Sequence, residues 1–315
     1  MDLFIIVFVM AHNHSHHHHH HISAEHASSP STMKVFSACI ALNLLFVFVE
    51  AAVGFACDSL GLLSDAGHNL GDVFTLVLSL LAIKMASLHG NRHFTYGYKK
   101  STVLVSLVNA VILLVAVGAI IIESVYKLRN PEPVNGVAVS WTAAAGIVVN
   151  GVTAWLLMKE SGDDINIRGA FLHMAMDTLV SIGVVVSGLV MLYTGFYMVD
   201  AIISLVIAAV ILFSTWSLLR ESFFLTMDAV PASVSMDSIE KELSEVPGVK
   251  GWHHLHIWAV STTENAATLH VEIDDPVDME TVKHGLKKCM RKNGVQHCTV
   301  ECELPGCNCC EQECN

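Results

Sequence analysis

Two histidine–aspartate pairs stand at one spacing in apolar surroundings: His68 and Asp72 in HNLGD, and His173 and Asp177 in HMAMD. On a helix, residues four apart share a face, so each pair presents an imidazole and a carboxylate in one direction. An ionisable group at the centre of a bilayer costs about 2.5–3.5 kcal/mol on insertion scales, so such groups face a bundle interior and have partners. Two histidines and two aspartates supply two nitrogen and two oxygen ligands, a set that suits tetrahedral Zn2+. Monovalent copper calls for thiolate or thioether ligands, and Mg2+ or Mn2+ for more oxygens. A single pair reads equally well as a polar contact between packed helices; its repetition at the same spacing in a second span favours a shared site. Asp65, three residues before His68, could join the polar face, cap the span or relay protons.

Such pairs need helices long enough to cross a bilayer, and the composition supplies them. Of the 315 residues 53% are hydrophobic and 15% charged, and the mean hydropathy is +0.55, whereas soluble domains carry about 25% charged residues. Six apolar stretches run at about 34–57, 60–88, 101–122, 136–158, 166–194 and 199–218; a spanning helix needs about 20 residues. The second and fifth are long enough to imply tilt. Lys34, Lys84, Arg92, Lys99, Lys100, Lys159, Arg168 and Arg220 fall on one side of this scheme, and only Lys127 and Arg129 on the other. The positive side is cytosolic, which places both termini in the cytosol. The opening MDLFIIVFV is too short to span and lacks the basic start of a signal peptide. Within the spans, Asn43, Glu50, Asn109 and Asn150 read as hydrogen-bonding groups between helices, with Glu50 alternatively on a proton route.

After Arg220 the hydropathy drops. A helix is expected over 233–245, strands over HHLHIWAV and ATLHVEID around the turn STTEN, a helix over 279–292 and a strand over HCTVECE. The order α-β-β-α-β predicts a small α+β sandwich with helices on one face of a sheet. The chain thus divides into a His-rich cytosolic tail, 1–33, a membrane domain, 34–220, a cytosolic domain, 221–305, and a Cys-rich tail, 306–315. The tract HNHSHHHHHH is either native, the favoured reading, or an expression tag ending in six histidines, and in both cases it collects zinc loosely. Cys307 and Cys310 form a CxxC beside Cys302, Cys309 and Cys314, a thiolate-rich candidate for zinc. The net charge of −12 fits cations and argues against nucleic acid. There is no HExxH, Walker A loop or nucleophile elbow, and a four-ligand site leaves no open position for a reacting substrate. The chain therefore reads as a carrier and not an enzyme.

The segments SDAGHNLGD, HMAMD, FTYGYKKSTVLVSLVNA and HHLHIWAV resemble the cation diffusion facilitator family, specifically its zinc-exporting branch, over about residues 34–305. The resemblance implies a homodimer in the lipid bilayer. Each protomer would be an α-helical membrane protein with six transmembrane helices, followed by a small α+β ferredoxin-like cytosolic domain. It implies exchange of cytosolic metal for protons, with His68, Asp72, His173 and Asp177 as transport ligands. It implies zinc, because His68 stands where broader-range relatives carry Asp. It also suggests regulatory ligands at His253, His270 and Glu303, with His254, His256 and Glu301 as neighbours able to substitute. One departure is Lys99-Lys100-Ser101-Thr102, where many relatives have an acidic residue; this puts in doubt any salt bridge made there.

The expected mechanism is alternating access, in which protonation of the ligands releases zinc. Histidine, with an ordinary pKa near ~6.5, switches in the physiological range. Exporting Zn2+ against an inside-negative potential costs about 4.6 kcal/mol per 100 mV, which counter-movement of two protons cancels. The competing reading is a membrane-anchored zinc sensor or store. The short loop KESGDDINIR lacks the His-rich insertion of organellar relatives, favouring a bacterial inner membrane over an intracellular vesicle.

Overall fold

The computed structural model describes the backbone of residues 30–56, 60–129, 136–160, 164–194, 198–273 and 279–304. Some side chains within these helices, those of Asp65 and His68 included, lie outside the described set. So do the His tract and the Cys-rich tail, and with them Cys307 and Cys310.

Six long helices come first: α1 Pro30–Ala56, α2 Leu60–Ala86, α3 Ser101–Arg129, α4 Gly136–Glu160, α5 Ile165–Thr194 and α6 Met198–Thr226. Pro30 opens α1, where its missing N–H costs nothing and its fixed φ suits a first turn. Four of the helices hold windows apolar enough to cross a membrane: Ser31–Val53 in α1, Asn69–Ala86 in α2, Ser101–Tyr126 in α3 and Ser204–Thr226 in α6. Their outer faces leave Phe55, Ile122 and Phe213 about three-quarters exposed, which only lipid accommodates. Two helices outrun the apolar stretch that announces them: α3 continues past 122 to Arg129, and α6 past 218 to Thr226. The windows apolar enough to cross a membrane run with them, to Tyr126 in α3 and Thr226 in α6. Isolated polar residues such as Glu123, Arg220 and Glu221 interrupt the apolar stretch without ending the helix.

The helices pack mainly as α1 on α2, α4 on α5 and α3 on α6, with α2 also meeting α5. Buried polar side chains fasten them. Asn43 Nδ2 donates to Thr153 Oγ1 at 2.9 Å, Asn69 Nδ2 to Glu50 Oε2 at 2.7 Å and Asn109 Nδ2 to Ser79 Oγ at 2.9 Å. Asn43, Glu50 and Asn109 thus bridge helices as their types suggested. Asn150 Oδ1 is buried with no partner among the described residues.

The small domain follows the expected order: α7 Met236–Ser244, β1 Val249–Ala259, β2 Asn265–Ile273, α8 Met279–Lys292 and β3 His297–Glu303. Helix α7 starts later than the sequence suggested, because Val234 N–H bonds Pro231 O in a turn and Ser235 becomes the cap, accepting from Ser238 N–H. The sheet order is β1-β2-β3, with β1–β2 antiparallel and β2–β3 parallel. A parallel pair needs a crossover, and α8 provides it. Ile239 and Leu243 of α7 and Val282, Leu286 and Met290 of α8 pack on Leu269, Val271 and Ile273 of β2. Both helices therefore cover one face and leave the other for polar side chains.

The hairpin turn between β1 and β2 abuts the membrane helices. Thr262 N–H donates to Thr102 Oγ1 at 3.1 Å, and Thr262 Oγ1 to Asp164 Oδ1 at 3.4 Å. Lys99 pairs with Glu264, and Lys100 with Asp228 at 2.5 Å and with the carbonyls of Leu225 and Ala259. Lys99 and Lys100 thus form ion pairs with carboxylates far along the chain.

Candidate metal centre

The two ligand helices bring three of the four predicted residues together. His173 Nε2 of α5 lies 2.6 Å from Asp72 Oδ1 of α2 and 3.7 Å from Asp177 Oδ2, one turn further along α5. Side-chain exposure is only 5%, 4% and 14% for His173, Asp72 and Asp177, so water does not screen this group. One ligand atom from each lies within 4.8 Å of the others, close enough for a single cation. Asp72 Oδ2 and His173 Nδ1 are buried without a partner among the described residues. Two carboxylates beside one imidazole offer oxygen and nitrogen donors to a single cation. His68 stands one turn before Asp72 on α2, and its side chain lies outside the described residues.

Asn69, next to His68 in sequence, is a residue that pattern reading passed over. Its hydrogen bond to Glu50 ties α1 to the ligand helix one turn from Asp72.

A second cluster lies on the open face of the small sheet. His253 on β1 is paired in register with His270 on β2, which is paired with Glu301 on β3. His270 Nδ1 is 2.8 Å from Glu303 Oε1, His270 Nε2 is 3.7 Å from Glu301 Oε2, and His253 Nε2 is 3.5 Å from Glu303 Oε2. Strict alternation would turn His254 to the other face. Instead the ladder slips between His253 and His256, and His254 takes a left-handed φ of 51°. Its ring thereby packs edge-on, with centroids 5.0 Å from His253 and 5.1 Å from His270. Three imidazoles and two carboxylates result, grouped as His253–His254–His270 and His270–Glu301–Glu303. His256 touches only His254 in this set, with ring centroids 6.5 Å apart.

The thiols of the described part belong elsewhere. Cys289, Cys298 and Cys302 pack against the helix-covered core. Burial pushes the Cys289 and Cys298 thiols up to about 11, and Cys302 upward too. In the absence of metal, burial thus disfavours the thiolate form of these side chains.

Two family models match the chain: that of the cation efflux transmembrane domain over residues 37–225, and that of the cation efflux protein cytoplasmic domain over 231–304. The chain is 32% identical over 287 residues to zinc transporter ZitB of Pectobacterium atrosepticum, covering 90% of this chain and 89% of that protein. It is 32% identical over 269 residues to zinc transporter ZitB of Escherichia coli, covering 84% and 85%. It is 30% identical over 268 residues to a cadmium, cobalt and zinc/H(+)-K(+) antiporter of Bacillus subtilis, covering 84% and 86%.

Proposed function

This chain belongs to the cation efflux family, with both the transmembrane and the cytoplasmic domain, and on that premise we propose that it exports zinc from the cytosol in exchange for protons. The observation that carries the reading is the buried group of Asp72, His173 and Asp177, contributed by two helices. His68, one turn before Asp72, completes a His2Asp2 transport site. Zinc is favoured over harder ions by the imidazoles, and the ZitB relatives are named zinc transporters.

Proton and zinc compete for the same atoms. At 2.6 Å, His173 Nε2 and Asp72 Oδ1 hold a proton between them. Zinc bonds of about 2.0–2.2 Å set tetrahedral neighbours about 3.3 Å apart, so the ring recedes by less than 1 Å when metal replaces proton. In this reading the inward-facing state offers deprotonated ligands to cytosolic zinc, and protons arriving in the outward-facing state release it. All six long helices span the bilayer. The parts are a His-rich tail, 1–33, the membrane domain, 34–220, the cytosolic domain, 221–305, and the Cys-rich tail. Both termini are cytosolic, the protein is a homodimer, and a bacterial inner membrane is its location.

The cluster of His253, His270 and Glu303 holds regulatory zinc, and Cys307 with Cys310 adds a thiolate site in the tail. Zinc uptake into sealed proteoliposomes tests the assignment. His173→Ala and Asp177→Ala are expected to abolish it, and normal transport by both variants sinks the assignment.

A further inference from the structure

Helices α2 and α3 bury a run of polar side chains that no ligand role accounts for. On α2, Thr75 and Ser79 follow Asp72 by three and seven residues and so share its face. On α3, Thr102, Ser106 and Asn109 recur at four and three residues, each 3% exposed or less. The two rows meet where Asn109 Nδ2 donates to Ser79 Oγ, and the Ser106 hydroxyl lies 2.7 Å from that of Ser222 on α6. At its cytosolic end, at Thr102, the run reaches a cavity of about 600 Å³ whose lining includes His89, Lys99, Asp164, Glu264 and His297. At 1.5 Å per residue, Asn109 lies about 10 Å below that cavity, and Asp72 about 10 Å beyond Ser79.

Hydroxyls and amides between membrane helices often serve only as glue. Glue is satisfied on both sides, and this run is not. Asn109 Oδ1 is fully buried without a partner among the described residues, and so is Asp72 Oδ2 further along. Leaving a buried acceptor dry is costly, whereas a polar seam that opens on a cavity can admit water. We infer that the α2–α3 seam is the cytosolic loading route, with Asn109 Oδ1 and Ser79 Oγ as a staging position for a hydrated divalent cation between the cavity and Asp72. This rests on the zinc-export reading. Asp164, with His89 and His297, gives the cavity oxygen and nitrogen donors that gather such an ion at the mouth, beside the Lys99–Glu264 pair. The neutral oxygens of the seam then replace its water without holding it, as a route requires and a binding site does not.

The test compares zinc transport by the full chain in proteoliposomes with zinc affinity of the same protein measured by calorimetry. Asn109→Leu removes the oxygen while keeping the size. It is expected to slow zinc entry from the cytosolic face about tenfold with affinity unchanged, and Asn109→Asp, which restores an acceptor, to recover most of the rate. Wild-type transport by Asn109→Leu overturns the route. So does a loss of affinity in step with rate, which marks mere support of the site, and so does an Asn109→Asp as slow as Asn109→Leu. If Asn109→Leu does not fold, Ser79→Ala and Ser106→Ala probe the same seam, and unchanged rates in both overturn it. Asp72→Ala separates the two ideas. Zinc transport surviving that substitution breaks the export reading itself, whereas a wrong route leaves Asp72→Ala inactive.

Discussion

His173 and Asp72 are 101 positions apart in sequence, yet Nε2 and Oδ1 meet at 2.6 Å in the centre of the helical domain. Neither belongs in hydrocarbon alone, and each is the other's reason for being there. Removing one partner therefore does more than weaken a contact. It leaves the survivor buried with one partner fewer, His173 with only Asp177 at 3.7 Å from the original pair of carboxylates.

Asp72→Ala is expected to abolish zinc binding at the membrane site, a loss beyond the roughly 10–100-fold that an outer-shell partner's removal costs. Calorimetry on the purified full chain reads this as one fewer zinc per protomer. Unchanged stoichiometry and affinity would place the site elsewhere.

His270 is the residue shared by both groupings on the cytosolic sheet. His270→Ala should empty that face of metal, whereas His253→Ala leaves His270, Glu301 and Glu303 in place and reduces affinity only in part. Zinc per protomer, measured on His270→Ala with the membrane site intact, checks the ranking. Equal loss from the two variants contradicts it.

Cys289 and Cys298 carry a pH prediction. Their thiols sit near 11 because burial penalises the thiolate. At pH 7.5 alkylation should be slow and should rise roughly tenfold per pH unit up to that range. Peptide mass spectrometry after timed iodoacetamide treatment gives the profile. Rapid labelling of both at neutral pH would mean that these side chains do not pack in the core.

Leu286 lies fully buried between α8 and the sheet. Leu286→Ala should cost about 2–5 kcal/mol of stability in the small domain. Thermal unfolding of the full chain reads this as an early transition while the helical signal persists. A Tm unmoved by the substitution would contradict the packing.

The sequence made the helices of the two His–Asp pairs legible because a single period governs them: four residues is one turn, and the repetition of the spacing in a second span favours a shared site over two packing contacts. The ends of α8 and β3 were legible for a like reason, since their apolar rhythm stops where their hydrogen bonds stop. The membrane helices broke that rule. Isolated polar residues interrupt the apolar stretch, while α3 and α6 end with their backbone ladders several residues later. His254 was read only as a neighbour, because alternation sends it to the wrong face and only the bulge corrects this. Nor does any local pattern join Lys99 to Glu264 or Thr262 to Asp164. Those contacts arise from docking the hairpin onto the helices, which only the folded chain displays.

The exchange of zinc and protons is proposed to run through Asp72, His173 and Asp177 with His68. Sealed proteoliposomes containing the full chain and a pH-sensitive dye test it most directly. An imposed zinc gradient should drive zinc across the membrane and protons the opposite way, and both fluxes should vanish in His173→Ala. Zinc that binds firmly but moves no protons, with no zinc crossing the membrane, would contradict the account and leave a zinc store in its place.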